Sequence, residues 1–304
     1  MVMICCSCVS SKQAWLYTSF KEPANEGLRL MYSYDAKHWA YFDHIFLKPL
    51  AGRDKIMRDP SMIKDKDGVY HLVWTTEWKN SNGFGYASSK DLIHWSEEKY
   101  IPVMQQETTT VNVWAPEWFY NDVDDSYMIV WASTIPYRFD KGIEDEFNNH
   151  RLYYTTTKDF THFSPAKLFF DPGFSAIDAT IVKRNNKDYV LVFKDNTRNE
   201  RDIKVAFGET PVGPFSNISK PITAGFTEGP TTVHVKDEWL IYFDAYRNQD
   251  FEAVKTKDFI TFTDATKEIS VPQGHKHGTI LTVTKADIKK IQRSLKHIDS
   301  TQIQ

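Results

Sequence analysis

Glu228 sits in the stretch Phe226-Thr227-Glu228-Gly229-Pro230-Thr231-Thr232, just ahead of the strand-like Val233-His234-Val235. Gly and Pro together pin a backbone at a strand entrance, which holds the carboxylate at the end of an element. Taken alone, Glu-Gly-Pro is an ordinary exposed turn. The wider pattern changes that reading. Arg58-Asp59-Pro60, Trp114-Ala115-Pro116-Glu117, Ile177-Asp178-Ala179 and His277-Gly278-Thr279 each open a β-like run, at intervals of about fifty to sixty residues. Three of the five entrances carry a carboxylate (Asp59, Asp178 and Glu228) that can face one centre. Carboxylates of this kind suit hydrolysis of a glycosidic bond, where a protonated carboxyl serves the leaving oxygen and an ionised one works on the opposite face. When the second carboxylate activates a water, the pair stands about 6.5–9.5 Å apart.

Positioning carboxylates so far apart in sequence requires a repeating scaffold. Asp35-Ala36-Lys37-His38-Trp39, Asp91-Leu92-Ile93-His94-Trp95, Asp159-Phe160-Thr161-His162-Phe163 and Asp258-Phe259-Ile260-Thr261-Phe262 place an Asp four residues before an aromatic. Thr210-Pro211-Val212-Gly213-Pro214-Phe215 fills the missing slot with another turn ending in the same way. An Asp that caps a turn and an aromatic that restarts a sheet are structural devices. A period near fifty with several short strands per unit indicates an all-β, five-bladed β-propeller. Four blades are complete, with turns at 64–68, 121–126, 185–186 and 236–237. The fifth is shared: 277–283 supplies an inner strand, and residues 14–42 supply its outer ones. Joining them closes the ring and removes exposed sheet edges. Ile288, Ile291, Leu295 and Ile298 have helical spacing and predict a short C-terminal helix outside the ring.

In such a ring the first strand of each blade lines a central channel, so Asp59, Trp114, Asp178, Glu228 and His277 converge at one mouth. The second strands return to the same mouth with Thr76-Glu77-Trp78, Trp131 to Ser133, Lys194-Asp195-Asn196 and Tyr246-Arg247-Asn248. Trp78 and Trp114 are open to two readings, core aromatics or platforms that stack on a sugar. Lys194 is likewise either a solvated strand-end lysine or a ligand for sugar hydroxyls. Arg247 is expected on the wall, and His277 with it. Glu117 reads as a residue that anchors backbone rather than one that reacts. The acidic runs at 65–68 and 122–125 are hairpin turns, since a calcium loop needs more ligands at fixed spacing.

The 304 residues are 41% hydrophobic and 25% charged with a formal net charge of −3, which suits one globular domain over 14–304 and argues against nucleic acid as a partner. The 20 Phe, 15 Tyr and 9 Trp serve a β-core and suit sugar binding too. A monomer is expected. Cys5, Cys6 and Cys8 are the chain's 3 cysteines, so the fold has neither a disulfide framework nor a thiolate metal site. Residues 1–13 resemble the remnant of an export signal ending at a lipid-modified Cys8 or Cys6, although a basic n-region and a longer apolar run are missing. The expectation is an exported, periplasmic or cell-surface lipoprotein. No apolar run reaches the ~18 residues of a membrane span.

With five motifs in order at blade spacing, residues 14 to 285 resemble glycoside hydrolase family 43, whose five-bladed propellers include α-L-arabinofuranosidases and β-xylosidases. The resemblance implies that Asp59 is the general base, Asp178 the residue that orients and tunes the acid, Glu228 the general acid, and His277 the axial histidine. Arg58 departs from the small residue common before the base, and His275 stands close to His277 as a rival. Glu228 is then expected to have a raised pKa, from the like charge of Asp178 and from burial, while Asp59 stays ionised beside Arg58. The expected activity is inverting, exo-acting removal of terminal α-L-arabinofuranosyl residues from an oligosaccharide or polysaccharide. A β-xylosidase, a galactofuranosidase or a carbohydrate-binding propeller without catalysis is the alternative. No cofactor is required; a structural calcium on the axis, through His277 and water, is known in parts of the family.

Overall fold

The computed structural model describes residues 12–301; the three cysteines, and with them the export and lipidation reading, lie outside the described residues. The alternating apolar runs form strands in chain order. β1 (Gln13–Ser19), β2 (Arg29–Ser33) and β3 (Trp39–Tyr41) come first, then β4 (Arg58–Lys64), β5 (Tyr70–Thr75), β6 (Phe84–Ser89) and β7 (Lys99–Ile101). Next are β8 (Trp114–Asn121), β9 (Ser126–Ser133), β10 (Arg151–Thr157) and β11 (Lys167–Phe170), then β12 (Ala176–Asn185), β13 (Asp188–Asp195) and β14 (Asp202–Gly208). The chain ends with β15 (Thr227–Val235), β16 (Glu238–Ala245), β17 (Asp250–Thr256), β18 (Thr263–Asp264), β19 (Ile280–Thr284) and the helix α1 (Lys285–Thr301).

These strands make five antiparallel sheets, the blades of a propeller. The sheet of β12, β13 and β14 has three strands, and an isolated bridge from Phe207 to Ser216 stands where its outer strand would run. The ring closes as expected: β19 pairs with β1 from Gln13 opposite Thr284 to Tyr17 opposite Ile280. The closing strand is shorter than the sequence suggests. His277 and Gly278 lie ahead of it, because the His277 amide donates to Asp244 at 3.1 Å and Gly278 passes so close to Thr18 that a Cβ would stand 2.3 Å from its carbonyl oxygen.

The Asp repeat is a turn device. Asp35, Asp91, Asp159 and Asp258 each accept amide N–H bonds from the residues two and three positions on. The residue between, Ala36, Leu92, Phe160 or Phe259, is left-handed in every case. Apolar side chains fill the layers between neighbouring blades, with Trp74, Trp131, Tyr17 and Tyr242 fully buried. Ile288 and Ile291 of α1 pack into the layer containing Leu16, Met62 and Leu72. Thr284 and Asp287 exchange backbone N–H contacts at the start of α1, a capping box that fixes where the helix begins.

Candidate active site

Four inner strands begin with the same irregularity. The ladder slips between Arg58 and Ser61, Trp114 and Glu117, Ile177 and Thr180, and Glu228 and Thr231. The residue at the slip is left-handed: Asp59 (φ 50), Ala115 (φ 49), Asp178 (φ 49) and Gly229 (φ 59). A bulge of this kind re-aims side chains, and here it does so alike in four blades. Arg58, Trp114, Ile177 and Glu228 line the pocket at the mouth, whereas Asp59, Ala115, Asp178 and Gly229 border a small cavity on the axis beneath. Asp59 and Asp178 touch both spaces. Holding a residue other than glycine in this conformation costs about 1–3 kcal/mol, so the fold pays to aim these two carboxylates.

His277 is the hub. Its Nδ1 lies 2.8 Å from Asp244 Oδ2, and its Nε2 lies 2.9 Å from Asp59 Oδ1. Burial alone would strip the ring of its proton, but hydrogen bonds and charge from Asp244 and Asp59 outweigh it and hold the imidazole as a cation. Burial pushes Asp59 up as well; His277, Arg58 and the hydroxyl of Thr75, which donates at 2.8 Å, together bring it below the usual carboxylate range. Asp59 is therefore ionised, as the sequence suggests, with His277 rather than Arg58 the main partner. Arg58 turns its guanidinium to Glu22 at 2.5 Å and over the Trp78 ring. His275 does not reach the axis: it is buried with Nδ1 2.7 Å from the Ser19 hydroxyl.

Asp178 accepts the Gly229 amide at 3.0 Å. Burial foremost raises its pKa, with Glu228 and Asp59 adding to the effect against His277 and Lys194. Glu228 behaves in the opposite way from the expectation. Burial would raise it, but Lys194, only 2% exposed with Nζ 2.9 Å from Glu228 Oε2, and then His277 bring it below its ordinary value. The sequence reading weighed the like charge of Asp178 and left out this buried cation. Glu117 borders the axial cavity, accepts the Thr279 hydroxyl at 2.7 Å and is pushed up to about 7, burial being the main cause.

The pocket encloses about 190 Å³, and Thr75, Asn148, Asn196 and Arg201 complete its wall. Trp78 and Trp114 both line the mouth: Trp78 is 49% exposed with its ring centroid 4.8 Å from that of Trp114, which is half-buried and also packs against the core layer holding Ile177 and Phe193. Trp114 lies in turn on His150, a buried ring pressed down to about 3, mainly by burial. Arg247 is outside the pocket. β16 ends at Ala245, so Arg247 falls in the exposed turn beyond it, with its guanidinium 3.1 Å from the Phe226 ring centroid. Asp244, Asn148, Arg201 and His150 were not singled out in the sequence. Counting out from the Lys236-Asp237 turn sets Asp244 opposite Gly229, and only the slip brings it opposite Glu228, so its place was hidden by the bulge; the others come from segments without a repeating pattern.

Glu228, Asp244 and His277 hold ligand-type atoms within 4.8 Å of one another, which raises the question of a cation. His277 Nδ1 lies 2.8 Å from Asp244 and its Nε2 2.9 Å from Asp59, so a cation held here would share these carboxylates with the imidazole and displace a ring proton to be ligated by it directly.

A family model described as "Probable glycosyl hydrolase domain", the family 43-related group, matches residues 11–289. An α-L-arabinofuranosidase of Bifidobacterium longum is 29% identical over 196 residues, which cover 57% of this chain and 18% of that protein. The chain thus spans less than a fifth of that relative's length. A thermostable family-43 glycoside hydrolase has a similar structure, with a TM-score of 0.61 at 14% identity over 87% of this chain and 93% of that one. The α-L-arabinofuranosidase from Lactobacillus brevis gives a TM-score of 0.52 at 18% identity over 68% of this chain and 72% of the other. At these identities the two structures speak for a shared fold. The match to the family model along nearly the whole chain goes further: this protein belongs to the glycoside hydrolase family 43-related group of glycosyl hydrolase domains.

Proposed function

We propose that the chain is an inverting, exo-acting glycosidase that removes terminal α-L-arabinofuranosyl residues. The observation that carries the reading is the split of two carboxylates around one imidazolium. Asp59 is held ionised at 2.9 Å from His277, and Glu228 stands in the same pocket beside Lys194 at 2.9 Å. In this reading Asp59 takes a proton from the attacking water, and Glu228 gives one to the departing oxygen. Asp178, through the Gly229 amide, fixes the strand entrance that carries Glu228. A pocket of about 190 Å³ is below the about 300–1,000 Å³ of sites for drug-sized ligands and suits a single sugar ring. Lys194, when a sugar hydroxyl draws its ammonium away from Glu228, frees that carboxyl to hold the proton it must deliver. The sugar is suggested by the name of the Bifidobacterium relative.

The test is a panel of nitrophenyl glycosides, with the products followed by proton NMR. The arabinofuranoside is expected to be cleaved best, with the β-anomer of arabinose appearing first. Early appearance of the α-anomer would remove Asp59 as a water-activating base. Faster cleavage of a β-xyloside or galactofuranoside would change the sugar, and binding without any cleavage would leave a carbohydrate-binding propeller.

A further inference from the structure

Beside the catalytic pocket runs a wide groove of about 800 Å³, and the two share Trp78, Trp114, Asn148 and Arg201. Its charges do not balance. Lys79, Arg198 and Arg201 line it against one carboxylate, Asp145, which already pairs with Arg198 at 3.4 Å. Among the described residues, Lys79 and Arg201 have no side-chain ion-pair partner. Elsewhere around the mouth the cations are satisfied: Arg58 holds Glu22 at 2.5 Å and Lys194 holds Glu228 at 2.9 Å.

Arg201 is also fixed in place. Its backbone is left-handed, with φ 54, and its carbonyl accepts the amides of Phe226 at 2.7 Å and Thr227 at 3.0 Å. The residue is therefore tied to the strand entrance that carries Glu228, half-buried at the junction of pocket and groove. A strained position held by its surroundings is where function concentrates. The guanidinium offers a planar fork of donors that matches a carboxylate or another oxyanion. Next to it the tilted Trp78–Trp114 pair, at 33°, lines both the pocket and the groove.

We propose that this groove takes an anionic sugar of the substrate chain, a uronic acid or a sulfated residue adjoining the one cleaved, with Arg201 on its oxyanion and Lys79 supporting from the rim. The proposal rests on the reading that the catalytic pocket holds the sugar being removed. The anionic residue is placed in the groove rather than in the catalytic pocket because the pocket's cations Arg58, Lys194 and His277 already have carboxylate partners, whereas Lys79 and Arg201 have none among the described residues. The charges around the reacting bond are paired, and the cations Lys79 and Arg201 beside it are not.

Calorimetric titration of the Glu228→Gln form measures binding apart from turnover of unactivated chains. Three sets of oligosaccharides of equal length are compared: neutral arabinose-containing chains, their uronate-bearing counterparts and sulfated counterparts. At least one acidic set is expected to bind about tenfold or more tightly than the neutral set, and the advantage should shrink as salt is added. Arg201→Asn should remove most of that advantage; Asn is chosen because it tolerates the left-handed backbone. Lys79→Gln, on the exposed rim, should reduce it without touching the fold. A preference for uronate or for sulfate supports the cation site and identifies the anion. Equal affinity for neutral and acidic sets, or an equal loss of both on Arg201→Asn, overturns the proposal. Failure of the unaltered protein to cleave any nitrophenyl glycoside, together with preferred binding of acidic chains, would remove the glycosidase reading and leave the groove as a binding site for an acidic sugar.

Discussion

Lys194 Nζ lies 2.9 Å from Glu228 Oε2, the lysine buried and the carboxylate half-buried at the pocket. The contact keeps the carboxylate that the family pattern assigns as acid below its ordinary pKa. A proton donor needs the opposite, so Lys194 is the residue whose removal is most informative. In Lys194→Met the neighbouring cation is gone, burial then dominates, and the Glu228 pKa rises. More of the acid is protonated at a given pH, so the basic limb of the kcat/KM profile should move to higher pH. KM should rise too, if the ammonium grips a sugar hydroxyl. Breaking a buried pair costs about 3–5 kcal/mol when the partner stays charged; here Glu228 can take a proton, so the loss should be smaller and largest at high pH. A basic limb that moves down, or does not move, would show that Glu228 is not the titrating acid.

The three carboxylates should separate by leaving group. Glu228→Gln keeps size but cannot deliver a proton, so it should cripple poor leaving groups by about 10²–10⁴-fold and spare activated aryl glycosides. Asp59→Asn removes water activation and should be severe for both kinds of substrate. Asp178→Asn keeps an oxygen for the Gly229 amide but loses the like charge on Glu228, so the basic limb should shift downward. Steady-state kinetics on paired activated and unactivated glycosides checks all three, and the selective pattern appearing at Asp59 would reverse the acid and base assignments.

Much of this architecture was legible in the sequence because it repeats. The Asp35, Asp91, Asp159 and Asp258 turns announce blades, since each needs a side-chain acceptor at one fixed place. The positions of Asp59, Asp178 and Glu228 followed once the entrances were aligned. What the pattern hid was contact between blades. Lys194 stands at the end of β13 and Glu228 near the start of β15, and nothing in either run of residues says that one neutralises the other. Arg247 went astray for a related reason. Its run of residues reads as a strand end, whereas β16 stops at Ala245 and the arginine folds onto Phe226. Arg247→Ala should accordingly leave kcat/KM within about threefold of the original, as for surface changes away from a site.

Glu117 gives a prediction about stability. Its folded pKa of about 7 exceeds the ordinary value of 4.5, with burial the main cause. Below both values the carboxyl is neutral in either state, and the shift has no effect. Between them the unfolded chain sheds a proton that the folded one keeps, so stability falls as pH rises and levels off above about 7. A shift of this size corresponds to roughly 3 kcal/mol at pH 8. Glu117→Gln keeps an acceptor for Thr279 and cannot ionise. The variant should match the original near pH 4 and exceed it in urea unfolding at pH 8. Equal midpoints at both pH values would mean that Glu117 is not held neutral.

His277 carries the last prediction. As a buried cation between Asp59 and Asp244 it is the main positive charge holding Asp59 ionised. His277→Gln keeps hydrogen-bonding capacity but removes that charge, leaving Asp59, Asp244, Asp178 and Glu228 close together with Lys194 and Arg58 as the remaining cations. Each carboxylate then resists ionisation, and the Asp59 pKa rises. A base must be deprotonated to act, so the acidic limb of the kcat/KM profile should move to higher pH. The stability effect has its own sign. A raised histidine pKa contributes stability that is complete below the unfolded value of 6.5 and is lost as pH climbs through the higher folded value. His277→Gln should therefore be most destabilised, relative to the original, under acidic conditions and less so toward alkaline pH. Kinetic profiles and urea unfolding at matched pH test the two together. An acidic limb that stays in place while stability falls would make His277 a purely structural residue and return the control of Asp59 to Arg58.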